Sequence, residues 1–199
     1  MEYFTQEVVN YIWIVLFFIV TTLRKIHERK AGKRSNLKDT PLIEATLMLL
    51  WGLAAGVVPF FYIFAGWIDF ANYPFAFGPF VWAAGILLFF AAIWMVHRSH
   101  VDLGKMWGSN VAPEKGGRLV KEGVYERIRH PMYAGHLLWG VAQALLFPNY
   151  LAGPLALVLI LILLVLRIPR EEKFLLQEFG EEYRQYMKST GRFLPSLKT

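Results

Sequence analysis

Residues 129–172 read RHPMYAGHLLWGVAQALLFPNYLAGPLALVLILILLVLRIPREE. Two apolar runs stand back to back here, with only Pro148-Asn149-Tyr150 between them, a connection that suffices for a tight helical hairpin. Backbone groups in hydrocarbon must pair within their own segment, so both runs are read as membrane helices, over about 131–147 and 151–167. Crossing ~30 Å takes about 20 residues, so each borrows flanking residues such as Tyr150. The polar groups bracketing the pair, Arg129-His130 at its start and Arg167 to Glu172 at its end, then meet on one side of the bilayer.

Outward from this hairpin, three more apolar blocks cover about 4–23, 42–66 and 76–96. The chain of 199 residues is 56% hydrophobic, 16% aromatic and only 18% charged. With a mean hydropathy of +0.39, that composition excludes disorder and an ordinary soluble domain. The expected fold is an all-α integral membrane protein with about five transmembrane helices, a single membrane domain over residues 1–199. All 21 Lys and Arg lie toward one side, seven in each of the stretches 24–38, 98–129 and 167–198, which fall in or at the edge of segments 24–41, 97–130 and 168–199. The positive-inside rule makes these segments cytoplasmic and puts the N-terminus outside or in a lumen. The first block is not read as a cleaved signal peptide, because acidic residues lead it. Topology thus accounts for the net charge of +6, which removes the case for nucleic acid. The lack of cysteine excludes disulfides, thiolate metal sites and Cys nucleophiles. Gly52 and Gly56 at GxxxG spacing, and Ala83, Ala84, Ala91 and Ala92, are read as close helix contacts.

Polar residues gather at four places. His97 and His100 share a helix face, but no matching ligand pair appears elsewhere, so they are read as interfacial anchors and no metal is expected. Gly116-Gly117-Arg118-Leu119-Val120 to Tyr125 is a glycine-flanked stretch that can lay backbone against a flat ligand, without the GxGxxG of a dinucleotide fold. Pro131 suits a first helical position, so Arg129, His130 and unpaired N–H groups cluster at a helix N-terminus that favours an anion. Within that span His136, Gly140 and Gln143 form one polar stripe, open to a functional reading or to interhelical hydrogen bonding. The fifth span is almost purely aliphatic from Leu155 to Leu166 and is read as lipid-facing. Beyond it, Pro169 is read as a helix start whose dipole welcomes Glu171 and Glu172; the same pair can hold a cationic cofactor while Arg167 takes a substrate carboxylate. Leu175, Phe179, Tyr183 and Tyr186 fall near one face, so the tail should fold back on the bundle despite Gly180.

These residues resemble the integral membrane methyltransferases of the isoprenylcysteine carboxyl methyltransferase and phospholipid methyltransferase family. The resemblance is carried by Asp102-Leu103-Gly104, Leu119-Val120-x-x-Gly123-x-Tyr125, Arg129-His130-Pro131-x-Tyr133, Arg167, Glu171-Glu172 and Phe179-Gly180-Glu181-Glu182-Tyr183, in order over roughly 100 to 195. It implies S-adenosylmethionine as cofactor, bound on the cytoplasmic side by the C-terminal half. By position, the resemblance implies cofactor contacts from Asn110, Gly117, Arg118, Leu119, Val120, Tyr125, His130, Pro131, Met132, Tyr133, Glu171 and Glu172. Arg167 matches the family's substrate-binding, catalytic arginine, with His136 and Gln143 as further substrate candidates. Gly117 departs from relatives that often carry His there. The N-terminal half matches only as a pattern of spans.

The implied partners are a lipophilic substrate entering from the bilayer and membrane lipids, with the carboxylate of an isoprenylcysteine-like molecule preferred because of Arg167. A carboxylate nucleophile is ionised at neutral pH and needs no general base, whereas an amine must first lose a proton. A phospholipid amine N-methyltransferase, an NADPH-dependent membrane reductase of similar fold and a non-catalytic lipid-binding membrane protein stay open beside it.

Overall fold

The computed structural model describes residues 5–30, 40–104 and 118–196. Its helices are α1 (Gln6–Lys30), α2 (Leu42–Gly52), α3 (Val58–Phe64), α4 (Pro79–Leu103), α5 (Pro131–Leu146) and α6 (Leu155–Ser189). Among the described residues there is no strand, only isolated bridges pairing Asn72 with Asn149 and Ile128 with Gly191. The chain is an all-helical integral membrane protein. Among the described residues, three helical stretches are long and apolar enough to cross a membrane by length and composition: Gln6–Lys30, Leu42–Phe64 and Pro79–Leu103. α5 has 16 residues, and the apolar part of α6 ends at Arg167.

α4 lies between α1 and α5, and α6 lies between α5 and α2. Val9, Trp13, Leu16 and Val20 of α1 form one buried stripe packed with Phe89, Ala92 and Val96 of α4 and Trp139, Ala142 and Leu146 of α5. The closest approaches are made by glycines. A Cβ on Gly85 would stand 2.8 Å from Leu146, one on Gly135 2.7 Å from Val96, and one on Gly140 2.8 Å from the Leu157 backbone. The expected contacts are therefore redistributed: Gly56 does meet the Phe17 ring, but Gly52 faces open space, and Ala83, Ala84 and Ala91 are exposed while Ala92 is buried.

The second span carries a π-helical turn, Leu53–Val57, between α2 and α3. Pro59 cannot donate to Ala55, and the wider turn before it sends the Val58 N–H to Leu53. The Ala54 carbonyl, bypassed by that shift, accepts from Gln143 Nε2 at 2.9 Å instead. Gln143 also donates to Ala152 at 2.7 Å and accepts from Trp139 at 3.2 Å. The interhelical reading of the polar stripe thus describes Gln143.

Three further expectations change. The helix of the fifth expected span, α6, starts at Leu155 rather than 151, because Leu151 to Pro154 form turns around the buried Asn149, whose Oδ1 accepts from the Leu151 and Ala152 amides, each at 2.9 Å. Its aliphatic run is only half lipid-facing: Ile160, Leu163 and Leu164 are buried against Leu47, Met48 and Trp51 of α2 and Tyr133 and Leu137 of α5. Pro169 is not a helix start but lies inside α6, which first departs from helical geometry at Gly180 (φ 53°, ψ −122°). One missing amide is tolerated where neighbouring helices hold both sides of the break. His97 and His100 also pack against α1, His97 meeting His27 at 3.1 Å and His100 stacking on it at 5.3 Å between ring centroids.

Past Gly180 the chain folds back as its apolar face requires, burying Tyr183 and Tyr186. The tail then pairs with the approach to α5: Gly191 accepts from the Arg129 amide at 2.8 Å, and Arg192 from the His130 amide at 3.1 Å.

Candidate active site

The start of α5 and the middle of α6 meet, as the hairpin requires. His130 places Nε2 3.2 Å from Glu172 and Nδ1 3.9 Å from Glu171. A carboxylate only accepts, so the His130 proton facing Glu172 sits on Nε2. The two adjacent carboxylates have different surroundings.

Glu172 is buried and saturated. Arg129 donates to its Oε1 from Nε and Nη2 at 3.3 and 3.2 Å, and Arg192 donates to Oε2 at 2.6 Å. Burial would raise its pKa, but the hydrogen bonds from His130 and Arg192 and their charges outweigh that and hold it at about 2. Arg129 also donates to the Met187 and Thr190 carbonyls, so Glu172 ties α5, α6 and the returning tail into one frame.

Glu171 is a quarter exposed, with a side-chain accessibility of 24%. Its Oε2 accepts from the Tyr133 hydroxyl at 2.6 Å, and the same hydroxyl oxygen accepts from Arg167 Nε at 2.7 Å. One phenol therefore separates a carboxylate from a guanidinium, with the direction of both hydrogen bonds fixed by chemistry. Glu171 Oε1, beyond hydrogen-bond reach of His130, can still accept from a cation. The His130 and Tyr133 rings stack at 5.6 Å beside it.

Arg167 is 7% exposed. Besides Tyr133, its Nη1 approaches Met48 Sδ at 3.6 Å and Glu44 Oε2 at 3.7 Å, both on α2. Glu44, 1% exposed, ion-pairs through Oε1 with Arg170. Sequence reasoning passed over Glu44, although an acidic residue opening an apolar run is a signal in its own right. It also passed over Arg192, which carries no local signal.

Around this centre, Pro131 opens α5 and Met132 follows it, with no side-chain cap on the helix. Tyr125 is buried, its hydroxyl 3.5 Å from the Ser99 carbonyl and its own carbonyl accepting from Tyr186; burial pushes the phenol pKa up. Gly123, at φ 64°, lets the Val124 amide reach Asp102 at 2.8 Å, which sets the turn that delivers Tyr125. Leu119 and Val120 lie outside any helix and are half-buried, while Arg118 is exposed and pairs with Glu122 at 3.5 Å. Asn110 and Gly117 lie outside the described residues.

Two expected substrate residues sit deeper. His136 Nδ1 donates to the Met132 carbonyl at 2.7 Å, and its ring meets Trp51 edge-on at 4.9 Å, one turn below Tyr133. Gln143 lies ~15 Å along α5 from Tyr133 at 1.5 Å per residue, and its partners Trp139, Ala54 and Ala152 belong to the packing between helices. Among the described residues no group of three or more His, Asp or Glu is placed to hold a metal ion.

A family model described as the isoprenylcysteine carboxyl methyltransferase (ICMT) family matches residues 83–177, from the second turn of α4 to just past Glu172. Protein-S-isoprenylcysteine O-methyltransferase A of Arabidopsis thaliana is 34% identical over 119 residues, covering 60% of this chain and 58% of that protein. Methanethiol S-methyltransferase of Pseudomonas deceptionensis is 38% identical over 78 residues, 38% of this chain and 28% of that one. The chain thus spans well under two thirds of these relatives. The solved structure of the eukaryotic intramembrane Ras methyltransferase ICMT superposes with a TM-score of 0.56 at 19% identity, over 92% of this chain and 67% of that one, a likeness of fold.

Proposed function

From the match of residues 83–177 to the isoprenylcysteine carboxyl methyltransferase family model, we propose that this chain transfers a methyl group from S-adenosylmethionine to the carboxylate of a lipophilic, isoprenylcysteine-like substrate. The observation that supports this reading is the single Tyr133 hydroxyl between Glu171 and Arg167, at 2.6 and 2.7 Å. It sets a group suited to a cationic donor beside a group suited to an anionic acceptor.

S-adenosylmethionine, when bound, supplies a methyl carbon on a positively charged sulfur that departs as a neutral thioether. Glu171 fits that cofactor, since one of its oxygens retains acceptor capacity and it is open to a quarter of its surface. Glu172 is assigned to the frame, because Arg129, His130 and Arg192 already saturate it. The stacked His130 and Tyr133 rings, with Pro131 and Met132, line the donor side. Arg167 would orient the substrate carboxylate toward the donor, and no base is needed because that carboxylate is already ionised. The apolar side chains gathered where α2, α5 and α6 meet suit the lipid portion, and the Lys and Arg distribution supports a cytoplasmic position for this end of the bundle.

The test is transfer of labelled methyl from S-adenosylmethionine by the purified chain to a farnesyl-cysteine analogue, phosphatidylethanolamine and methanethiol, each in separate reactions. A base-labile ester on the prenylcysteine is expected. Label on the amine or thiol alone would replace the carboxylate reading. Binding of NADPH in place of S-adenosylhomocysteine would replace the methyltransferase reading.

A further inference from the structure

Glu44 lies outside the family-matched segment, yet it reaches the proposed substrate clamp. Its two oxygens are held unequally. Oε1 is gripped by Arg170, whose side chain is 48% exposed. Oε2 is buried without a hydrogen bond and stands 3.7 Å from Arg167 Nη1, close enough for charge attraction but too long to be a hydrogen bond. Burying a guanidinium needs a countercharge, and one supplied at this distance costs little to replace. An arriving carboxylate would be a second anion beside the same guanidinium, so it and Glu44 compete.

We propose that Glu44 is a resident competitor at the substrate subsite, a positioning residue that neutralises Arg167 between turnovers and yields to the substrate carboxylate while Arg170 retains it. The inference rests on the carboxylate reading of the site. It follows that methylation itself assists release. The ester formed is neutral, Arg167 loses its ionic partner, and Glu44 regains the pairing. Selectivity follows too, because a neutral ligand cannot displace a carboxylate from a buried guanidinium.

Steady-state methylation of a farnesyl-cysteine analogue by the full chain in vesicles separates the alternatives. Glu44→Gln should lower KM for the carboxylate substrate about threefold to tenfold by removing the competing charge. Its kcat should stay the same or fall, since release loses its assistance, and S-adenosylhomocysteine affinity should not change. Arg170→Gln, at a half-exposed position, should raise KM, because Glu44 then has only Arg167 to pair with; the double variant should return toward the parent. A raised or unchanged KM in Glu44→Gln overturns the proposal, as does an unchanged KM in Arg170→Gln. If Glu44→Gln does not fold, Arg170→Gln alone decides. Absence of ester formation by the parent chain would instead overturn the carboxylate reading beneath it.

Discussion

Tyr133 touches both charged groups of the proposed reaction, so its hydroxyl is the most informative single atom to remove. Tyr133→Phe deletes hydrogen bonds to a carboxylate and to a guanidinium, each worth about 1.5–3 kcal/mol. A fall in kcat/KM on the order of 10- to 100-fold is expected in steady-state methylation, with the ring still stacked on His130. Arg167→Lys keeps a positive charge but loses the planar donor set, so methylation should fall about 100-fold while S-adenosylhomocysteine affinity, read by calorimetry, holds within about threefold. Normal turnover by that variant would remove Arg167 from the substrate. Glu172 gives a pH signature. Its folded pKa of about 2 lies below its ordinary 4.5, so its contribution to stability is complete above pH 4.5 and is lost as pH falls from there toward 2. Thermal midpoints in detergent should drop across that interval, and by less in Glu172→Gln. That Arg129, His130, Tyr133, Arg167 and Glu171 come together was legible in the sequence, because the short turn between the two apolar runs brings their ends to one side. The division of labour between Glu171 and Glu172 was not, because it depends on Arg192, which arrives from the tail through tertiary folding.

At the scale of elements, close glycine contacts decide how α5 seats on α4. Gly135→Ala places a methyl against Val96, including its backbone nitrogen at 3.2 Å, so the helices must separate. A loss of about 1–3 kcal/mol is expected, read as a lower thermal midpoint, with methylation falling in parallel because Tyr133 rides on the same helix. Apolar runs predicted the helices well, since hydrocarbon leaves few alternatives for the backbone. Boundaries near proline were less legible. Pro169 looked like a start because local chemistry favours that position, yet packing of Ile160, Leu163 and Leu164 on α2 and α5 carries α6 through it. With no helix terminus there, the dipole explanation for Glu171 and Glu172 lapses, and their side-chain partners account for them. At Gly180, by contrast, the positive φ makes glycine the residue the bend requires.

Across the whole molecule, the site draws on segments far apart in the chain: Glu44 and Arg170 are separated by 126 positions. Motifs confined to 100–195 could reveal the donor side, while the contribution of the N-terminal half needed coordinates. The tail matters in the same way. Arg192→Ala removes one of three donor partners of Glu172 and should cost about 1–2 kcal/mol, discounted for the half-exposed guanidinium, with weaker S-adenosylhomocysteine binding as the readout. At the far end of α5, Asn149 donates to the Ile68 carbonyl and to Asn72, each at 2.8 Å, while its own oxygen serves two amides. That lock is made of neutral amides, whereas the end bearing Glu44 is joined to α6 by charges, one of them half in water. Added salt screens the second kind of bond and hardly touches the first. Rising ionic strength should therefore fray the molecule from one pole only, speeding deuterium uptake around residues 44 and 170 while residues 69–73 and 149–152 keep their protection.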